Sequence, residues 1–262
     1  MNSAPPFQRI AVIGLGLIGS SIARGVEQLG LAQELVATDA SPEVRARAVE
    51  IGLANRIAAD NPEAVKGADL VIACVPVGVC GEVAKDIAAH LKPGAIVSDV
   101  GSVKSAVLRE MGKHLPESVH FIPAHPVAGT EHSGPDSGFA EVFVNRWCIL
   151  TPPADADAGA VEKLAGFWRA LGANVEVMTA EHHDLVLAVT SHLPHLIAYT
   201  IVSTADELED VTRSEVLKFS AGGFRDFTRI AASDPIMWRD VFLPTRTRCW
   251  KCSAPSTRTS PS

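Results

Sequence analysis

His125 has the sequence surroundings of a catalytic base. It follows an apolar stretch that reads as a strand, and Pro126 comes directly after it. Steric contact with the proline ring biases the preceding residue toward an extended backbone. An imidazole has an unperturbed pKa of about 6.5, so it can accept a proton near neutral pH. A lone histidine is more often structural, but the proline and the glycine-containing loop that follows favour a catalytic base.

A second polar segment, Asp99 to Lys104, closes another apolar run. The Ser102 hydroxyl and the Lys104 ammonium follow a predicted buried strand, where either can contact a cofactor or a substrate. A simpler interpretation is that Ser102 caps the helix that follows. The two interpretations are compatible.

His192 and His195 lie three residues apart in the sequence SHLPH, so one helical face can present both. Two histidines at this spacing also suit a metal ion, but the carboxylate or cysteine that usually completes such a site is not evident. Cys249 and Cys252 form a C-x-x-C that stands alone. We therefore expect no metal site.

Arg225 and Arg229 lie four residues apart in the sequence GGFRDFTR, with Asp226 between them. A planar guanidinium is well shaped to hold a carboxylate through two hydrogen bonds. Asp226 is placed to orient one of the arginines. The alternative is a solvated surface turn.

The element expected to organise these groups is the glycine motif of Ile10 to Ser21. In G-x-G-x-x-G register, the first glycine permits a sharp turn, the second leaves room for a pyrophosphate, and the third lets the helix lie close to the strand. Asp39 ends the next apolar run, where a carboxylate accepts hydrogen bonds from a ribose and repels the 2′-phosphate of NADP. NAD is therefore the expected cofactor and NADP a minor alternative. The expected cofactor-binding residues are Gly14, Gly16, Leu17, Ile18, Gly19, Asp39, Val75 and Pro76.

Strand and helix signals alternate over residues 1–178 and helical periodicity follows. The pattern predicts an α/β fold: a doubly wound, Rossmann-type dinucleotide-binding domain, then an all-α helical domain over 179–243. Pro194 predicts a kink or break within the second domain. Residues 244–262 are basic and rich in Ser, Thr and Pro, which predicts a disordered tail.

The overall composition limits the classes of binding partner and the cellular location that we expect for this protein. The formal net charge is −7, which argues against nucleic acid, and no uninterrupted apolar run is long enough to span a membrane. No secretory signal is visible at the N-terminus, so a cytoplasmic location is expected. The five cysteines do not suggest a disulfide framework.

Taken together, the motifs resemble those of the prephenate dehydrogenase family, including its arogenate and cyclohexadienyl forms, which act in tyrosine biosynthesis. The matching segments run in order over residues 7–243. They are GLGLIGSS, DVGSVK, HPVAGTEHSGP, SHLPH and GGFRDFTRIAASDPIMWRD.

This resemblance implies an NAD-dependent oxidative decarboxylation of prephenate or arogenate. It implies that His125 accepts the proton of the ring hydroxyl and that Ser102 binds the same hydroxyl. It also implies that Arg229 holds the ring carboxylate, as a buried arginine positioned by Asp226. Other substrate-binding positions implied by the resemblance are Thr130, Glu131, His192, His195 and Trp238.

The sequence departs from the family over residues 244–262, where further helices and a homodimer interface are expected but a basic tail stands instead. This departure leads us to expect an incomplete helical domain and weakened dimerisation. Two other functions stay open. One is a β-hydroxyacid dehydrogenase or imine reductase, although the lysine that many of the former carry is absent from Thr179 to Ala205. The other is an inactive NAD-binding regulator. Prephenate and arogenate are not distinguished.

Overall fold

A computed structural model describes residues 5–130, 132–208 and 210–253. The chain divides into two compact units after His183. The predicted boundary after Met178 lies shortly before this division, because the first turn of the helix that begins at Ala180 belongs to the first unit and buries His183 there.

The first unit is built on a six-stranded parallel sheet of order β3-β2-β1-β4-β5-β6. Ile10 and Val12 of β1 pack into one apolar cluster, and Ala11 and Ile13 pack into another. Both faces of the sheet are therefore buried, as the continuous apolar runs predicted. The strands are β1 Phe7–Ile13, β2 Ala32–Thr38, β3 Arg56–Ile57, β4 Leu70–Ala73, β5 Ile96–Asp99 and β6 His120–Phe121.

Helices connect these strands, and the caps largely follow the sequence signals. Gly30 ends the first helix with φ of 62°, and the Ser41 hydroxyl accepts from the Val44 N–H at the start of the second. Asp60 caps the third, where its side chain accepts from the Glu63 N–H. The helices are α1 Leu17–Leu29, α2 Pro42–Glu50, α3 Asn61–Val65, α4 Cys80–Ile87 and α5 Lys104–Gly112.

A second, three-stranded sheet carries His125. It consists of β7 Ala124–Pro126, β8 Trp147–Leu150 and β9 Asn174–Val177, with helix α6 Ala158–Ala170 between β8 and β9. The apolar run from Val119 to Ala124 reads in the sequence as one core strand, but it contains two strands, β6 and β7, that belong to different sheets. The ladder with β5 ends after Ile122, whose N–H donates to the Val97 carbonyl, because the next donor in register, the Ala124 N–H, turns to the Asp99 carboxylate instead. His125 therefore lies within β7 rather than after a strand.

The second unit is helical, as predicted. Helix α7 Ala180–Leu187 continues as a π-helical turn over Ala188–His192 and then as α8 Leu193–Asp206. Pro194 lies in the first turn of α8 and cannot donate a backbone hydrogen bond, so the predicted interruption takes the form of a π-turn. The remaining helices are α9 Asp210–Phe219, α10 Gly222–Thr228, a 3₁₀ turn over Arg229–Ala232 and α11 Pro235–Ser253.

Helix α11 corrects the predicted end of the ordered chain. Residues 244–253 are helical rather than a disordered tail, and residues 254–262 lie outside the described residues. Composition suggested disorder, but helical spacing places one stripe of side chains in the interior, and this burial stabilises the helix despite Pro244. The stripe consists of Trp238, Val241, Thr245 and Cys249.

The segment Ala180–Asp206 is long and apolar enough to cross a membrane, with a mean hydropathy of 1.6. Length and composition alone support this, and helices in the cores of soluble proteins meet the same criteria. The segment also carries His183, Asp184 and His192, all of which are buried.

Candidate active site

The glycine loop between β1 and α1 is shaped as the motif predicts. Gly14 has φ of +93°, and a Cβ there would lie 2.3 Å from the carbonyl oxygen of Cys74. A Cβ on Gly19 would lie 1.9 Å from the Gly14 oxygen, so α1 can approach the strand only with glycine there. A Cβ on Gly16, in contrast, would meet no protein atom within 4 Å. Gly14 and Gly19 are thus required by the fold, while the space beside Gly16 fits an approaching pyrophosphate.

A cleft of about 610 Å³ opens beside this loop at the carboxyl ends of β1 and β4. Leu17 is buried and Ile18 half-buried in α1, and neither these two nor Gly19 lines the cleft. The predicted cofactor residues that line it are Gly14, Gly16, Asp39, Val75 and Pro76.

Asp39 links the cleft to the glycine loop. Its Oδ2 accepts from the Leu15 N–H at 2.7 Å, and its Oδ1 accepts from the Ser41 N–H at 2.9 Å. The Glu82 and Asp86 side chains, which the sequence did not single out, also line the cleft. Three carboxylates there disfavour an additional phosphate and leave acceptors for ribose hydroxyls, so the lining fits NAD better than NADP.

The arginines that follow Asp39 are engaged elsewhere. Arg45 donates from Nη1 to the Asp39 carbonyl at 2.6 Å, and Arg47 forms an ion pair with Asp136 at 2.7 Å. This pairing also lowers the pKa of the exposed Asp136 carboxyl. Neither contact suggests a site for a 2′-phosphate.

The suggested contact of Lys104 with cofactor or substrate is wrong, because the side chain is fully buried in an ion pair. Its Nζ lies 2.5 Å from Asp99 Oδ2 and donates to the Ala124 carbonyl at 2.6 Å. Asp99 Oδ1 accepts from the Ala124 N–H at 3.3 Å. Both backbone groups of Ala124 are therefore held by one buried pair, which fixes the residue immediately before His125.

Ser102 lies half-buried in the turn between β5 and α5. The suggestion that it caps α5 is wrong, since Val103 occupies the N-cap position and no side chain caps the helix. The hydroxyl is therefore not used for capping. The turn begins at Asp99, so Ser102 follows the same buried pair that holds Ala124.

His125 is 6% exposed and pairs with Ile149 across the antiparallel β7–β8 ladder. Its Nδ1 lies 2.8 Å from Nε2 of the fully buried His183 on α7. The sequence did not identify His183, since it lies next to the exposed His182 with no spacing that links it to His125. What identifies His183 is the burial of both rings side by side in the structure, which the sequence does not show.

The loop after His125 is anchored to α1. The Phe139 N–H donates to Ser21 Oγ at 3.1 Å, and Arg24 Nη2 donates to the Pro135 carbonyl at 3.2 Å. Thr130 is exposed, and its Oγ1 accepts from the His132 N–H at 3.3 Å. Glu131 lies outside the described residues.

In the second unit, His192 and His195 lie on the same side of their helical segment, where both rings contact Trp238. The His195 ring stacks on the indole with centroids 3.7 Å apart, and His192 meets it edge-on at 6.2 Å. His195 Nδ1 lies 2.9 Å from the Ser191 carbonyl, and burial lowers the pKa of His195. The buried Trp238 N–H has no acceptor within the described part of the chain.

Arg229 and Asp226 are exposed and do not form an ion pair with each other in the described structure. The expectations that Arg229 is buried and that Asp226 orients it are therefore not met here. Exposed charges retain their hydration, and a surface ion pair adds little to it. Both groups face solvent, where they are accessible to a ligand.

Across the described residues, no group of three or more His, Cys, Asp or Glu side chains is arranged to hold a metal ion. Cys249 is buried and contacts Thr245 Oγ1 at 3.7 Å. The Cys252 side chain lies outside the described part.

Two family models match the chain. Prephenate dehydrogenase, nucleotide-binding domain, matches residues 22–177, and prephenate dehydrogenase, dimerization domain, matches residues 179–252. The chain belongs to the prephenate dehydrogenase family. The α/β unit followed by a helical unit agrees with this membership.

Individual members of the family are similar over most of the chain. The cyclohexadienyl dehydrogenase of Zymomonas mobilis is 45% identical over 90% of this chain and 80% of its own length. The prephenate dehydrogenase of Bacillus subtilis is 35% identical over 89% of this chain, which spans 63% of that protein. The structure of Aquifex aeolicus prephenate dehydrogenase with hydroxyphenyl propionate and NAD+ superposes with a TM-score of 0.83, at 33% identity, covering 93% of this chain and 85% of that one.

Proposed function

We propose that this protein catalyses the NAD-dependent oxidative decarboxylation of prephenate, arogenate or both, giving 4-hydroxyphenylpyruvate or tyrosine. The observation that carries the proposal is the combination, within the first unit, of an open glycine cradle and a buried histidine held within strand β7. Membership of the prephenate dehydrogenase family identifies the reaction that a cofactor in this cradle and this histidine would carry out together.

When bound, NAD+ supplies the acceptor for one hydride, taken from the ring carbon that carries the hydroxyl. Asp39 accepts hydrogen bonds from the adenosine ribose, and the turn at Gly16 admits the pyrophosphate. His125 accepts the hydroxyl proton as the C–H bond breaks, so an O–H bond is exchanged for an N–H bond. Ser102 holds the same oxygen.

Loss of the ring carboxylate completes the reaction. Its C–C bond breaks, CO2 leaves, and the electron pair of that bond aromatises the ring. The His125 imidazolium then returns its proton to the phenolate oxygen, which restores the neutral base.

Substrate binding is assigned to the second unit and to the loop after His125. We assign the ring carboxylate to Arg229, whose exposed guanidinium has no carboxylate partner in the described structure. Trp238 has a buried N–H left to donate to a ligand. The remaining substrate positions in the proposal are Asp226, His192, His195, Thr130 and Glu131.

Absorbance of NADH at 340 nm with prephenate, and then with arogenate, tests this proposal. His125→Asn should lower kcat at least 100-fold, since general-base catalysis contributes a factor of about 10²–10⁴. The control is His132→Asn, which changes an exposed histidine in the same loop. Oxidation of 3-hydroxyisobutyrate instead would favour a β-hydroxyacid dehydrogenase, and NAD binding without turnover would favour a regulator.

We further propose that the enzyme is a cytoplasmic homodimer. The second unit matches the family's dimerization domain and exposes several large apolar side chains, including Ile197 and Leu243. A second copy would cover them and would also account for the apolar helix Ala180–Asp206. Sedimentation should show a dimer that Ile197→Glu weakens and that Val49→Glu, on the exposed side of α2, leaves intact. A monomeric wild-type protein would contradict this.

A further inference from the structure

His125 and His183 form a buried pair within the first unit. The two nitrogens lie 2.8 Å apart, and the ring centroids lie 5.0 Å apart at 67°. His125 is held by the β7–β8 ladder. His183 is held by α7, where its backbone N–H donates to the Thr179 carbonyl. The two rings therefore come from elements far apart in sequence, and each element has its own backbone anchor.

Two imidazole nitrogens at this distance share one proton. A neutral imidazole carries one N–H and one acceptor nitrogen, so one ring donates and the other accepts. In one arrangement His125 Nδ1–H donates to His183 Nε2, which leaves His125 Nε2 unprotonated. In the other arrangement His183 donates, so His125 carries its proton on Nε2. Only the first arrangement leaves His125 with a nitrogen that can take a proton from substrate.

We propose that His183 is a positioning residue that fixes His125 in its Nδ1–H tautomer, so that Nε2 is the atom that receives the substrate proton. This inference rests on the proposed function, because it assigns the base its reacting atom. It also specifies a partner that differs from the carboxylate found behind many catalytic histidines: an imidazole whose Nε2 accepts the hydrogen bond.

The tautomer can be measured directly in the wild-type protein. Nitrogen-15 NMR of the histidine rings separates protonated from unprotonated nitrogens, and His125→Asn and His183→Gln assign the signals. We expect Nδ1 of His125 to be protonated and Nε2 to be unprotonated at pH 8, with or without NAD+. A His125 ring protonated on Nε2 would overturn the proposal, whether or not the enzyme is active.

Kinetics of two variants supply the second test. His183→Gln places an amide oxygen near the position of Nε2, where it can accept from His125, whereas His183→Leu cannot accept. We expect His183→Leu to lower kcat by about 10²–10⁴-fold with KM changed less than threefold, and His183→Gln to stay within tenfold of wild type. His182→Leu is the matched control, since that side chain is exposed on the same helix.

The possible outcomes separate this proposal from the proposed function. A folded His183→Leu protein with wild-type kcat would overturn the positioning role and leave the proposed reaction intact. A wild-type protein that oxidises neither prephenate nor arogenate would refute the proposed reaction, while the NMR result would still decide the tautomer. If His183→Leu does not fold, the NMR measurement and the kinetics of His183→Gln decide the question. A folded His183→Gln protein whose kcat is lowered more than tenfold would count against the positioning role of His183.

Discussion

Replacing Lys104 by methionine should destabilise the protein far more than the same change at Lys92. Each lysine pairs with an aspartate at 2.5 Å, but the Lys104–Asp99 side chains are 0% exposed, whereas Lys92 is 48% exposed. The two substitutions are chemically identical. They differ in the carboxylate that each leaves behind: Asp99 is 0% exposed, whereas Asp69 is 15% exposed and keeps hydrogen bonds from the Gln8 and Arg9 backbone N–H groups.

The magnitude follows from that environment. Lys104→Met leaves a buried carboxylate without its cation and the Ala124 carbonyl without one donor, and breaking a buried pair costs about 3–5 kcal/mol. Lys92→Met breaks a surface pair worth about 0–1 kcal/mol. Since domains are stable by about 5–15 kcal/mol, the first change removes a large share of the total.

Urea unfolding followed by circular dichroism measures both values. Adding Asp99→Asn to Lys104→Met should recover part of the loss, because a neutral amide oxygen can still accept from the Gly101 N–H. Equal free energies of unfolding for Lys104→Met and Lys92→Met would refute the assignment of Lys104 as the buried support of the strand before His125.

Three further predictions concern binding and pH. Gly16→Ala should raise the Kd for NAD+ at least tenfold in calorimetry, because the added Cβ projects into the open cradle. The control Gly166→Ala should leave this Kd unchanged. Equal Kd values for the two variants would contradict the assignment of Gly16 to the pyrophosphate site. Arg229→Ala should raise KM for substrate at least tenfold with kcat within threefold, and an unchanged KM would rule out its carboxylate role. Burial lowers the pKa of His195, so the unfolded chain binds that proton more readily, and the free energy of unfolding should fall as the pH drops through about 6.5. His195→Gln should lose less stability between pH 8 and pH 5 in urea unfolding; an identical loss would argue against the shift.

Features that depend on local periodicity could be predicted from the sequence. Continuous apolar runs indicated strands buried on both faces, and β4 is buried throughout. The glycine motif indicated the cradle because two of its constraints are local: Gly14 adopts a positive φ, and Gly19 lies against the Gly14 carbonyl.

Features that depend on distant partners could not be predicted in this way. Lys104 contacts a carbonyl 20 residues away, and His183 contacts a ring 58 residues away. Sequence spacing does not say which groups meet across a core, so Lys104 was read as a ligand-binding group and His183 was missed.

The end of the chain shows that composition can mislead where periodicity does not. The polar, proline-containing stretch after Leu243 suggested disorder, yet Thr245 and Cys249 continue the buried stripe of Trp238 and Val241. Helical spacing at these positions was a better guide than the frequency of Ser, Thr and Pro.

The stoichiometry of a complete reaction tests the central claim most directly. With NAD+ in excess, a limiting amount of prephenate or arogenate is consumed by the wild-type protein while NADH and CO2 are measured together. We predict one NADH and one CO2 for each substrate molecule consumed, at equal rates. NADH formed without CO2, or no NADH with either substrate, would contradict the proposed oxidative decarboxylation.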